Sequence, residues 1–435
     1  MNRIAILLVL ALLSACTQSS APDKQVDKGN VVFIHPDGTG VGHWNLLRLV
    51  TVGPDGMTNW DKMERLGIYR PHQKNALVTT SHAGATVHAY GKKVHYDSYG
   101  MDHESPLTAL SGKQMSIMQE AMAEGIRVGV INSGHIGEPG SGVYLASSVG
   151  RADRTGIAEK VLTSGADLIF TGGEIYTLPT GVVGHHGKEG KRKDGRNLLT
   201  EAVDAGYTVI YSKEELLNLP ANTKKVIGIF AAKDTYNAAS EEKLKIAGLP
   251  TYNPDQPSFD QMVKVALKVL SDDPERRFFL VAEEEGTDNF SNNANTQGTI
   301  DALSRADAAI GITMDFIESR QKHDTLLVVG GDSDAGHPAV WWKRKGMTTD
   351  PLPLTSETGA QMDGINGTGT AALTTAPDAQ GKTFRFGVAW PLTEDSYGSA
   401  VTKAHGFGSE ALNVVVDNTD IYKVSYQVLF GKKLD

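Results

Sequence analysis

A single cysteine among 435 residues, Cys16, leaves the folded part of the chain with no disulfide and no thiolate to bind a metal. Such a chain has nothing to misoxidise in an oxidising compartment. It also lacks a long basic stripe, and its formal charge is −9, which excludes a sequence-wide attraction to nucleic acid. An anionic substrate is not excluded, because a few local cations or metals outweigh the global field. The apolar run Ile4 to Leu13 is too short to span a membrane as a helix. What remains is the balance of an ordinary globular protein, with 40% apolar and 21% charged residues.

The N-terminus carries an address. Arg3, the apolar run and Leu13-Ser14-Ala15-Cys16 have the order of a secretory signal. Ending on Cys16, the segment is similar to a bacterial lipobox, in which Cys16 would be acylated and become the mature N-terminus. A plain signal peptide with an incidental cysteine is the alternative. Residues 17–30 (TQSSAPDKQVDKGN) are polar and read as a flexible tether. The expected division is a signal over 1–15, a lipid-anchored tether over 16–30 and a single domain over 31–435. That places the protein in a bacterial cell envelope, as a periplasmic or outer-membrane lipoprotein. By analogy, Thr17 rather than Asp after the cysteine fits the outer membrane.

Beyond the tether, apolar runs bounded by turn residues alternate with helical patterns. The runs VVFI at 31–34, VGVI at 128–131, DLIF at 167–170, TVIY at 208–211, VIGIF at 226–230, FFLVA at 278–282 and TLLVV at 325–329 predict buried strands. Helical stretches are predicted over 114–124, 155–163, 195–205, 259–270 and 299–320. This alternation implies an α/β fold, a largely parallel sheet with helices on both faces. Ligands in such sheets sit beyond the carboxyl ends of the strands. Three polar clusters fall there: His35-Pro36-Asp37-Gly38-Thr39-Gly40, Glu283-Glu284-Glu285-Gly286-Thr287-Asp288 and Gly330-Gly331-Asp332-Ser333-Asp334. Each alone reads as a helix cap or turn. Together they bring carboxylates to one sheet edge, where like charges raise one another's energy unless a cation sits among them. Hard oxygen ligands of this kind suit divalent metals.

The stretch VTTSHAGATVHAYGKKVHYDSYG (78–100) resembles the nucleophile segment of the alkaline phosphatase family. The resemblance continues in order through 157–179, 191–210, 257–288, 325–336 and 418–422. It implies a three-layer αβα sandwich around a large, mostly parallel sheet, and hydrolysis of phosphate monoesters through a phosphoserine. It further implies Ser81 as nucleophile, Arg151 as the phosphate-gripping arginine and Asp37 as a metal-bridging aspartate. Glu138 and Glu283 fall at magnesium-ligand positions, and Asp288 and Asp332 at those of zinc-binding aspartates. Family members are often dimers, so a homodimer is expected, with no interface identified. The chain departs from the pattern at Thr80, where the family has an aspartate. It departs again at Asn292, Ser333 and Ser396, where the family has zinc-binding histidines.

Losing three imidazoles removes the nitrogen donors zinc favours and leaves carboxylate, amide and hydroxyl oxygens. Either His337, His405, His82 or His35 substitutes from a shifted position, or the site has moved toward magnesium, calcium or manganese. Lost turnover is the third outcome. A small phosphorylated substrate is expected, with the membrane engaged only through the lipid on Cys16. Two rivals stay open: a phosphodiesterase or sulfatase of the same superfamily, and a lipid-anchored phosphate- or metal-binding homologue. Taken singly, Ser81 is an ordinary N-cap serine and Arg151 an ordinary surface charge. His88 and His95 read as structural, His185-His186 as a solvent-exposed loop pair and Trp341-Trp342 as packing.

Overall fold

The computed structural model describes residues 27–320, 324–342 and 351–435. The predicted signal, Cys16 and most of the tether lie outside the described residues. No helix among the described residues is long and apolar enough to cross a membrane.

Ten strands form the central sheet: β1 (Asn30–Pro36), β2 (Arg65–Arg70), β3 (Arg127–His135), β4 (Leu168–Gly172), β5 (Thr208–Ile210), β6 (Val226–Ile229), β7 (Phe278–Glu284), β8 (Thr325–Gly330), β9 (Val401–Gly406) and β10 (Val415–Asp417). Their order is β10-β2-β9-β8-β1-β7-β3-β4-β6-β5. Every pairing is parallel except the two made by β9, which runs against β8 and β2. All seven predicted apolar runs are strands of the parallel block. They are apolar on both faces because helices cover both faces.

Alternation along β1 shows how the layers form. Val31 and Phe33 enter the core on one face, and Val32 and Ile34 enter the other. Burying each such side chain stabilises the fold by about 1.5–3 kcal/mol. Three helices cover the second face: α1 (Val41–Thr51), α4 (Phe259–Leu270) and α6 (Thr296–Ser319). α2 (Ser81–Tyr90) and α7 (Asn418–Phe430) cover the first, near the chemistry. The sequence places α4 without help: Ser258 caps it, Gln261 closes the capping box, and Met262, Val263, Ala266 and Leu270 form its buried stripe. The predicted helix over 299–320 begins slightly earlier, at Thr296, where Asn295 accepts the Gly298 amide at 2.8 Å.

Two shorter helices matter for the site: α3 (Pro139–Gly142), just after β3, and α5 (Gly286–Asn292), just after β7. A small ribbon, Asp334–Ala335 against Asp395–Ser396, closes the same end of the sheet.

Candidate active site

The three polar clusters meet at the carboxyl ends of β1, β7 and β8, neighbours in the sheet. Ser81 opens α2, with Thr80 as N-cap accepting the Ala83 amide. The helix begins with Ser81-His82-Ala83-Gly84, and its small residues allow a close approach to β8. A Cβ on Gly84 would lie 2.6 Å from the Asp332 Cβ, so any larger residue there would push the helix off the site. This approach brings Ser81 close enough to the Asp37 carboxylate to help hold its pKa down.

Asp37 is fully buried, and neither of its carboxylate oxygens has a hydrogen-bond partner among the described residues. Burial works to raise its pKa, but His35, Asp332 and Ser81 outweigh it and hold the group well below the usual carboxylate range. Asp332 shifts the other way, pushed up by burial and by Asp37. The pair therefore stays stable as one charge and one proton unless a cation joins it. One donor group consists of His35, Asp37 and Asp332, whose ligand atoms lie within 4.8 Å of one another. A second, at the same spacing, consists of Asp37, Glu283 and Glu285. Asp37 belongs to both.

Glu283 is anchored by protein. Its oxygens accept the amides of Gly140 at 2.9 Å and Ser141 at 2.7 Å, and the Asn132 side chain as well. Burial and the nearby Asp37 push its pKa up to about 7. Glu285, two residues on, accepts from Asn289 through one oxygen at 2.8 Å, and its other oxygen is buried without a partner. Glu284 points away, to Ser133 and the Tyr252 hydroxyl, each at 2.7 Å. Glu138 caps α3 beside this group. His135 Nε2 lies 2.8 Å from one of its oxygens and an Arg151 nitrogen 2.5 Å from the other. Against the effect of burial, His135 and the Arg151 guanidinium hold Glu138 low. Arg151 also approaches Glu285 at 3.8 Å, so its guanidinium sits among the carboxylates rather than out in solvent.

A third group forms around α5. Asn292 donates to Asp288 at 2.8 Å. Asp395 lies within hydrogen-bonding reach of Asp288, Asn292 and Ser333. One oxygen each of Asn292, Ser333 and Asp395 is buried without a partner. Burial raises the pKa of Asp288 and Asp395 alike, and Asp395 adds to the rise of Asp288. In the C-terminal segment the residue at the site is thus Asp395, not the expected Ser396, which donates to the Asp334 carbonyl at 2.8 Å.

The structure also sorts the spare histidines. His337 is bound to Asp334 at 2.8 Å and half exposed. His405, on β9, pairs with Leu327 of β8, two residues further from the carboxyl end of β8 than Val329. His82 stands beside Ser81. Burial and the nearby Arg151 lower its pKa to about 4, so it is neutral at pH 7. His35 faces Asp37. His88 bonds the Tyr69 hydroxyl at 2.7 Å and His95 bonds Asp102 at 2.7 Å, both structural roles as expected. In the 185–186 pair, His185 stacks on Tyr211 and His186 bonds the Ile229 carbonyl.

Of the residues the sequence nominated, Asp37, Ser81, Glu138, Arg151, Glu283, Asp288, Asn292, Asp332 and Ser333 all come together in this region. Sequence reasoning missed Glu285 and Asp395 as donors. The signal for Glu285 was the period of two along a strand end, which puts it on the same side as Glu283.

Comparison with known proteins agrees with the fold. The family model for alkaline phosphatase matches residues 28–429. The repressible alkaline phosphatase of Saccharomyces cerevisiae is 25% identical over 358 residues, covering 77% of this chain and 59% of that protein. The alkaline phosphatase of Gadus morhua is 25% identical over 339 residues, covering 70% and 68%. The chain thus spans about three fifths to two thirds of these relatives' lengths. The solved alkaline phosphatase of the Antarctic bacterium TAB5 superposes with a TM-score of 0.71 at 19% identity, covering 94% of this chain and 100% of that one. That of Thermus thermophilus gives 0.70 at 18% identity, covering 97% and 96%.

Proposed function

The chain belongs to the alkaline phosphatase family, and from that footing we propose that it hydrolyses phosphate monoesters through a phosphoserine on Ser81. The observation that carries this reading is the reach of Ser81 to Asp37, a buried carboxylate shared by two donor groups.

The buried oxygens without partners fit divalent cations. Asp37, Glu138, Glu283 and Glu285 would hold one, and Asp288, Asn292, Asp332, Ser333 and Asp395 would share in holding others. This oxygen-rich set suits magnesium, with manganese or calcium as alternatives, better than zinc. A divalent cation held there supplies neutralisation of substrate charge and lowers the pKa of an oxygen bound to it.

The chain's own residues do the rest. Asp37, kept ionised, would accept from the nearby Ser81 hydroxyl and aim it. The start of α2 presents free amides and the positive end of a helix dipole to an anion. Arg151 is placed to grip two phosphate oxygens, exchanging part of its hold on Glu138 for the substrate. Ser81 Oγ bonds to phosphorus as the ester P–O bond breaks, and the alcohol leaves protonated. Water then displaces Ser81, releasing inorganic phosphate and returning the hydroxyl.

Turnover of p-nitrophenyl phosphate by the purified protein tests this. Ser81→Ala should lower kcat by at least about 10³-fold, in line with loss of a nucleophile elsewhere. Turnover that survives the substitution removes the serine mechanism. Metal analysis finding more than one equivalent of zinc would overturn the oxygen-donor assignment. The same proposal places the protein on a bacterial envelope membrane through Cys16. Palmitate incorporation should be lost in Cys16→Ser, and its absence from the unaltered protein would dismiss the anchor.

A further inference from the structure

The imidazoles missing at Asn292, Ser333 and Ser396 have one geometrically matched successor. His35 lies on β1, on the sheet face shared with Val31 and Phe33 that α2 covers, and Asp37 follows in the turn just past the strand end. The His35 ring is fully buried, packed 5.5 Å from the Phe33 ring and 5.7 Å edge-on from His88. Gly140 leaves room for it, since a Cβ there would lie 2.5 Å from His35 Cδ2.

The ring's hydrogen bonds determine what each nitrogen can do. Nδ1 lies 2.8 Å from the Gly330 carbonyl oxygen, which only accepts, so Nδ1 carries a proton. In the neutral ring Nε2 then bears the lone pair. Nε2 is buried, has no hydrogen-bond partner, and stands 3.5 Å from Asp37 Oδ1. Both Asp37 oxygens and one Asp332 oxygen are likewise buried without partners. A histidine whose far nitrogen donates to a backbone carbonyl is the usual arrangement of a metal-bound imidazole. His135 has the other tautomer: its Nδ1 accepts the Gly137 amide at 3.1 Å, so in the neutral ring Nε2, 2.8 Å from Glu138, carries the proton and has no lone pair to offer.

We propose that His35 Nε2 is a nitrogen ligand to a divalent cation held jointly by Asp37 and Asp332, taking over from imidazoles this chain lacks. The proposal rests on the reading of this region as a cation-dependent site. It sharpens that reading, because one imidazole with two carboxylates favours manganese or zinc at this position over calcium. The remaining positions stay oxygen-only.

Pulsed electron paramagnetic resonance of the full-length protein, stripped with chelator and reloaded with substoichiometric Mn²⁺, reads this directly. The bound ion should show coupling to imidazole nitrogen, and the coupling should change when the protein is made with ¹⁵N-histidine. That measurement needs no variant to fold. In His35→Gln the coupling should vanish and Mn²⁺ affinity fall at least about tenfold, since even outer partners of metal ligands are worth that much. In His82→Gln the coupling should persist. Bound Mn²⁺ without nitrogen coupling, coupling that survives His35→Gln, or failure to bind Mn²⁺ at all would overturn the proposal. Coupling present in a protein that cannot turn over p-nitrophenyl phosphate would instead count against the catalytic reading and leave His35 in place.

Discussion

The two halves of the site handle their carboxylates in opposite ways. Around Glu138, Glu283 and Glu285, the protein supplies its own counter-charge through Arg151, His135 and the amides of Gly140 and Ser141. Around Asp288, Asp332 and Asp395, no cationic side chain forms an ion pair among the described residues, and the Asn292 amide is the main donor. An uncompensated buried charge is expensive. The first half is therefore largely preorganised by protein, whereas the second lacks that compensation and, on the proposed reading, would be completed by a cation.

Removing cations should strike hardest. Saturation at a thousand times the dissociation constant contributes about 4 kcal/mol to stability. Chelation should lower the melting temperature by several degrees and abolish turnover, with Mg²⁺ or Mn²⁺ restoring both. A protein whose melting is indifferent to chelator would break the comparison.

The chelated protein should also respond to pH in an unusual sense. Glu283, Glu285, Asp288, Asp332 and Asp395 have folded-state pKa values raised by burial, that of Glu283 to about 7. Between the ordinary carboxyl value and the raised one, the folded state binds more protons than the unfolded. Stability is then present at low pH and lost as pH rises through the folded value. His35, raised as well, acts in the same sense; the buried His43 and His82, each lowered to about 4, and His88, lowered by burial, oppose it but are outnumbered by the raised carboxyls. Melting of the stripped protein should fall from pH 5 to pH 8, by on the order of 2–3 kcal/mol. Calorimetry at matched ionic strength checks this, and a stability that rises over that range contradicts it.

Substitutions should separate the halves in sign. Glu138→Gln removes the carboxylate that faces both the Arg151 guanidinium and the buried His135 ring, so the chelated protein should lose about 2 kcal/mol. Asp395→Asn removes one of several crowded charges, so the chelated protein should gain about 1 kcal/mol, while the Mg²⁺-loaded protein loses stability. Denaturant titrations of both variants, with and without cation, would show the crossover. Equal signs for the two would mean that the halves are alike after all.

Much of the architecture could be read in advance because the parallel block is buried on both faces and writes itself as continuous apolar runs. The other edge was harder to read. β2 (RLGIYR) alternates exposed and buried positions, and β9 (VTKAHG) carries Lys403, whose ammonium reaches the Trp60 carbonyl at 2.7 Å from a buried stem. Neither resembles a core strand until its neighbours are known. The site followed the same logic. Residues at the ends of apolar strands do come together, while Asp395 sits in a two-residue ribbon where a shift of one position exchanges the faces. Choosing Ser396 over Asp395 was that one-residue slip. The tautomer of His35 lies beyond any linear motif, because its determinant, the Gly330 carbonyl, is nearly three hundred residues away in the chain.

Asp37 looks into two donor groups at once. Whatever charge enters the first group changes the field and the orientation of that carboxylate for the second, and the influence must be equal in return. If both groups hold cations as proposed, loading would be coupled, and the affinity for one ion would depend on the presence of the other. A site built this way reports the ionic composition of its surroundings through a single shared side chain.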